Sequence, residues 1–204
     1  MGGDGDLRPP RRLSLELAKR AAVFDPERLR QAARRLPPLT RKKTAKGFAE
    51  ARALMLEAGV TLVFVPEIKD TRISGVSRHV NGTPMIAVTS RYRYCDALWF
   101  TVLHEVAHLL LHPKRATFID FGGKASDDDA QETAANAFAA DLLVPPATRP
   151  RLIAASSVAE VTELAEELRV DPGILAGQRA HLTGDWGGQL ARLRRREDLA
   201  AALA

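Results

Sequence analysis

The chain of 204 residues has a single cysteine, Cys95. No intrachain disulfide can form, which suits a reducing cytoplasm. Cys95 also lacks a cysteine partner for a thiolate metal site, so it reads as a small buried residue. No apolar run approaches the roughly 18 residues that a membrane-spanning helix needs. The first residues, Gly2-Gly3-Asp4-Gly5-Asp6, lack the apolar stretch of a secretory signal. Internal repeats are missing too. These absences exclude a disulfide scaffold and a helical membrane protein, and they point to a cytoplasmic chain. Apolar residues make up 46% of it, enough for the core of one domain of ordinary size.

The net charge of +5 is uneven: residues 1–46 hold 13 lysines and arginines against 5 acids, so the remainder is net acidic. Arg34-Arg35 and Arg41-Lys42-Lys43 could meet nucleic-acid phosphates or an acidic partner. Solvated helix faces are the simpler reading, and it is preferred.

The most informative stretch is His104-Glu105-Val106-Ala107-His108, inside an apolar run from Trp99 to His112. Two histidines four apart lie one above the other on a helix and can bind one metal ion, usually zinc. Glu105, next to the first, is placed to hold a water at the metal's open position, which is the HExxH pattern of zinc peptidases. An ordinary core helix would have no reason to bury that acid between them.

Catalytic zinc sites generally use three protein ligands and a water. Downstream candidates for the third are His112, Asp120, Asp127 to Asp129, Glu132, Asp141 and His181. His112 is eight residues past His104, so it has rotated by about 80° and stands more than two turns away, a poor position. The longer pattern with a glycine before a third histidine is absent. Glu132 is better placed. It opens a helix-forming run, Asp129 to Val144, that stops at Pro145. Positions 132, 135, 136 and 139 (Glu, Ala, Asn, Ala) share one face, whose alanines would let this helix approach the metal helix closely.

Taken together, His104-Glu105-Val106-Ala107-His108 and Glu132-x-x-Ala135-Asn136-x-Phe138-Ala139-x-x-Leu142-Leu143-x-Pro145 resemble the ImmA/IrrE family of zinc metallopeptidases. Gly59 to Glu67, Thr71-Arg72-Ile73-Ser74-Gly75 and Ser90-Arg91-Tyr92 extend the likeness, which covers roughly residues 20 to 190. The resemblance implies Zn2+ held by His104, His108 and Glu132, with Glu105 as catalytic base. In this branch the peptidase-like domain is often fused behind an XRE-type helix-turn-helix, as in HigA-like antitoxin regulators. The present chain starts too late to hold that domain, so the expectation is either that the regulator is a separate protein or that this is a stand-alone or truncated form. The implied substrate or partner is an XRE-type repressor or antitoxin, cut or bound in a stress, phage or mobile-element response, with no membrane involved.

The organisation expected is a disordered basic tail (1–12), an N-terminal helical segment (13–39), a zincin-like core (40–150) and a C-terminal helical extension (151–204). Helices are expected at Leu13 to Phe24 and Pro26 to Leu36, then from a Thr40 cap to Ala58 with Gly59 as the stop. Val60 to Val65 reads as a buried strand. Arg72 to Val80 and Pro84 to Thr89 read as a hairpin around Asn81-Gly82. The metal helix follows from about Asp96 to His112, then a loop over 113–126 with a short strand at Thr117-Phe118-Ile119, then the Glu132 helix. Further helices are expected near 157–169 and 172–182, and a basic amphipathic one near 188–198. Helix, small antiparallel sheet and two catalytic helices, in that order, make a zincin-like α+β fold. Pro84 to Thr89 would be the edge strand beside the cleft, open to addition of a substrate peptide.

The zinc would polarise a water and the scissile carbonyl, and Glu105 would move the proton. Arg91, Tyr92, Arg93, Tyr94 and His181 are candidates for steadying the oxyanion, Tyr92 the favoured one. Asn136, one turn after Glu132, is the candidate to orient a ligand. Two other readings compete. Thr162 to Leu175 has the rhythm of a helix-turn-helix, but Arg169 stands where the turn commonly has glycine, and Gly173 and Gly177 weaken the recognition helix, so nucleic-acid binding by this chain alone is not expected. The alternative is a zinc-bound or degenerate regulatory, antitoxin-type domain that binds protein or DNA without turnover; the intact Glu105 argues for catalysis.

Overall fold

Asp25 is extended and accepts the Glu27 and Arg28 amides at 2.8 and 3.1 Å, with Pro26 next at a position where its missing N–H has no helical partner to lose; helix α1 (Pro26–Arg35) follows. The computed structural model describes residues 16–17, 19–65, 74–89, 93–112 and 125–203. Within the expected helix Leu13 to Phe24, residues 21–24 are not helical. Backbone pairing with the next helix wins there, as Ala22 and Asp25 donate to the carbonyls of Leu56 and Ala58 at 3.1 Å each. Pro37-Pro38 ends α1 and begins a 3-10 turn (Pro37–Arg41), so α2 runs Thr44–Glu57 and Thr40 is not its cap. The buried Thr40 hydroxyl instead donates to Pro37 O at 2.6 Å and accepts the Asp171 amide at 2.9 Å, tying this turn to the C-terminal helices. Gly59 stops the helix at φ 80°, as expected, where a Cβ would run into the Phe24 backbone.

Strand β1 (Thr61–Val65) is buried along nearly its whole length. Strands β2 (Gly75–Val80) and β3 (Thr83–Thr89) form the expected hairpin, with Asn81 at φ 50° and Gly82 at φ 82° in its turn. The sheet order is β1–β3–β2, with β1 parallel to β3 and β2 antiparallel to it. The small sheet is therefore mixed, not antiparallel, and Pro84 to Thr89 is its central strand, not the edge. A two-residue turn announces the hairpin locally, whereas the parallel pairing joins strands distant in sequence. Full burial of β1 is the mark of that pairing. Among the described residues the edge nearest the site is β2. The strand expected at 117–119 and the start of the strand expected from Arg72 lie outside the described residues.

Helix α3 (Cys95–Leu111) carries the HExxH run and crosses the interior. Its Trp99, Val102, Leu103 and Val106 pack with Leu29 of α1, Phe48 and Met55 of α2, and Leu62, Ile86 and Val88 of the sheet. Ala139 and Leu143 of α4 (Ala125–Leu143) join the same core. A 3-10 turn and α5 (Arg149–Ala154) lead to α6 (Val158–Leu168) and α7 (Pro172–Thr183), whose Leu164, Ile174 and Leu175 complete it. Ser157 and Glu160 form a capping box at α6, and Arg169 takes the left-handed turn at φ 57°. The other sheet face, with Val63, Met85 and Ala87, lies under Leu17. The fold class is α+β, as expected. No helix among the described residues is long and apolar enough to cross a membrane.

The basic helix expected near 188–198 does not form. Leu190–Leu193 is a 3-10 turn, and the next residues run extended beside the start of α3 before α8 (Leu199–Leu203). Tyr94 and Arg196 form a β-bridge, Cys95 N donates to Arg195 O, and Glu197 N donates to Arg93 O, both at 3.0 Å. Arg194, within the expected basic helix, instead binds Asp96 inside the protein, Nε to Oδ2 at 2.9 Å. Gly177 on α7 makes room for that carboxylate, since a Cβ there would lie 2.3 Å from Asp96 Oδ2.

Burial pushes the Asp96 carboxyl above the ordinary carboxylate range, and Arg194 offsets this only in part. A carboxyl raised in this way holds its proton more tightly folded than unfolded. Through this group stability is greatest below the unfolded pKa and falls as pH rises through the folded one. Arg194→Ala should cost about 3–5 kcal/mol near neutrality by stranding a buried charge. The loss should shrink as pH falls and Asp96 is neutralised. Urea unfolding of both proteins from about pH 8 down to about pH 4 measures it; a loss independent of pH would contradict the buried-pair account.

Candidate metal centre

Two helices build the site. α3 presents His104, Glu105 and His108; α4 presents Glu132 and Asn136. Ala135 and Ala139, on the α4 face that also carries Glu132 and Asn136, are fully buried. The small side chains let the helices close up until their polar groups meet. His104 Nε2 and His108 Nε2 are 3.0 Å apart. Glu132 reaches both, with Oε2 3.2 Å from His104 Nε2 and Oε1 3.4 Å from His108 Nε2. Among the described residues these three offer one ligand atom each, all within 4.8 Å of one another.

Those spacings fit a metal ion. With tetrahedral bonds of about 2.0–2.1 Å, as for zinc, neighbouring ligand atoms stand about 3.3 Å apart. Proton placement agrees. His104 Nδ1 lies 2.9 Å from the Asn136 side-chain oxygen, so Nδ1 carries the hydrogen and donates it. With the ring neutral, the Nε2 lone pair faces the Glu132 carboxylate, and a cation between them would satisfy both. Asn136, the candidate to orient a ligand, thus meets the His104 ring through this one hydrogen bond.

Glu105 is buried, at 6% exposure. Its carboxylate lies where β2 begins: a Cβ on Gly75 would stand 2.8 Å from Glu105 Oε1 and 2.6 Å from Thr101 Cγ2. The edge strand passes so close to the HExxH helix that any larger residue at 75 would displace the side chains of Thr101 and Glu105. Gly75 was not singled out as a site residue, although an isolated glycine at the head of a strand signals close backbone approach.

The other candidates stand apart. His112 has its ring 5.6 Å from that of His108, outside the triad. Asp141 pairs with Arg149. Cys95 is buried between Thr44 and Glu197 at 3.4 Å from each, and burial pushes its thiol up. Tyr94 packs on Arg194, Arg93 O is bound by Glu197 N, and His181 stacks on Phe100. Tyr92, Arg91, Asp120 and the side chains of Asp127 and Asp128 lie outside the described residues.

A family model described as the IrrE N-terminal-like domain, of peptidase family M78, matches residues 57–177, more than half of the chain and both halves of the site. The chain belongs to this family. M78 peptidases are metallopeptidases, and in this IrrE N-terminal-like domain His104, His108 and Glu132 are close enough to hold a metal. The zincin-like α+β reading of the fold agrees with that membership. No curated protein matches the chain.

If Asn136 orients His104, then Asn136→Ala should leave a folded protein that binds its metal about 10- to 100-fold more weakly. Competition with a chelator of known affinity would show it; unchanged affinity would leave Asn136 without that role.

Proposed function

We propose that the protein is a zinc-dependent metallo-endopeptidase acting on a specific protein. The observation that carries this reading is the convergence of His104, His108 and Glu132 at the spacing of tetrahedral ligand atoms, with the buried Glu105 beside them. Zinc in that position would supply a Lewis acid for the attacking water and the scissile carbonyl. Glu105 accepts the water proton and returns it to the leaving amine. Its burial between α3 and β2 keeps the carboxylate aimed at one place.

Strand β2 gives the substrate a track. It pairs with β3 on one side, and its other side, which carries no strand among the described residues, can take an extended peptide as a further strand. Because β2 starts against Glu105, such a peptide would run over the catalytic base. The substrate class implied by the motif resemblance is an XRE-type repressor or antitoxin, whose cleavage would release a stress, phage or mobile-element response. A protein partner also suits the C-terminal helices better than DNA does. The would-be recognition helix α7 is buried over Gly173 to Gln178, so its faces are engaged in the core.

Glu105→Gln should keep the metal and lose about 10²- to 10⁴-fold in peptide-bond cleavage. Metal content and cleavage of a co-expressed repressor partner, measured on the same preparation, check it. Cleavage at the wild-type rate would rule out the assigned base.

A further inference from the structure

The guanidinium of Arg194 is held between two rings, 4.2 Å from the centre of Tyr94 and 4.9 Å from that of Trp186. It cannot drift, because its Nε is bound to Asp96 and the side chain is only 13% exposed. The loop carrying Trp186 is pinned as well. Arg179 reaches Asp185 at 3.5 Å, Gly187 N donates to Asp185 Oδ1 at 3.1 Å, and Gln189 Nε2 donates to Ser156 O at 2.7 Å. Trp186 nevertheless stands 47% exposed.

From this fixed ring a line of aromatic contacts leads to the metal ligands. Trp186 meets His181 edge-on at 4.9 Å, His181 stacks with Phe100 at 6.4 Å, and Phe100 lies 6.2 Å from His104, ring centre to ring centre. We propose that Phe100, His181 and Trp186 form one wall of the substrate cleft and that Trp186 receives a bulky apolar or aromatic side chain of the peptide. This rests on the peptidase reading and adds a specificity determinant to it. An extended peptide advances about 3.3 Å per residue, so the wall engages a side chain roughly three to five residues from the bond to be cut. An exposed ring already immobilised by its surroundings loses little freedom on binding, which is the property of a binding hot spot.

The chemistry of the occupant follows from Arg194. One cation already draws on the π-system of Trp186. A lysine or arginine at the open part of the ring would face that charge across it, whereas an apolar or aromatic side chain would not. The wall therefore selects Phe, Tyr, Trp or Leu and rejects Lys and Arg.

The chain's two tryptophans make a direct test. Trp99 is 1% exposed, so quenching by acrylamide reports Trp186. The purified Glu105→Gln protein is titrated with two decapeptide libraries, randomised at all positions but one, which is Phe in one library and Lys in the other. The Phe library should shield Trp186 from acrylamide and bind about tenfold more tightly than the Lys library. With a fluorescent Phe library as competitor, Trp186→Ala should erase that preference and Trp186→Phe should keep it. Equal binding of the two libraries, or a Trp186 still fully quenched at saturating Phe library, overturns the proposal. Cleavage by the wild-type chain is read separately. A chain that shields Trp186 but cuts neither library fails the peptidase reading and keeps the wall. One that cuts both alike without shielding keeps the peptidase reading and loses the wall.

Discussion

The site exists because two helices pack at alanine distance. Ala135 and Ala139 are fully buried on the α4 face that also carries Glu132 and Asn136. A longer side chain at either position would wedge α4 away from α3, at a cost of about 1–3 kcal/mol for the overpacking itself. The larger loss would be functional, since Glu132 now stands within 3.4 Å of both histidine nitrogens. The same approach lets Asn136 reach His104 Nδ1. One packing constraint thus brings the Glu132 carboxylate and the Asn136 amide to the histidines and sets the separation of the three candidate ligand atoms.

The opposite end of α3 is anchored by different means. Its first turn carries Asp96, drawn into the interior by Gly177 on α7 and bound there by Arg194 from the C-terminal strap. The backbone of that strap pairs with Arg93, Tyr94 and Cys95. The HExxH helix is therefore held at its start by residues 194–197, over its middle by the sheet and α2, and near its histidines by α4. Such bracing on several sides suits a helix that must keep two imidazoles and a carboxylate in fixed directions.

Much of this was legible in the sequence where the information is local. The HExxH spacing, the alanine face of the Glu132 run, the Asn81-Gly82 turn, the Gly59 stop and the two C-terminal helices each depend on neighbours a few residues apart, and each is found in place. What was misread depends on distant partners. The pairing of β1 with β3 made the sheet mixed and moved the edge to β2. Thr40 serves the amide of Asp171 rather than a helix start. The arginines of 194–196 lie in a charged run that suggested a basic helix, yet backbone pairing with residues 93–95 draws them into an extended strap. Gly75 was visible as a letter, but its meaning needed the position of Glu105. Trp186 gave no signal at all, because the rings it stands in line with come from two helices, Phe100 and His104 on α3 and His181 on α7.

Elemental mass spectrometry of the purified protein beside its Glu132→Ala variant decides whether His104, His108 and Glu132 hold one zinc ion. The native protein should carry about one zinc per chain, lost or sharply reduced in the variant while the fold is kept. A native protein that carries no zinc and takes none up on reconstitution, or a variant that keeps its full complement, would contradict it.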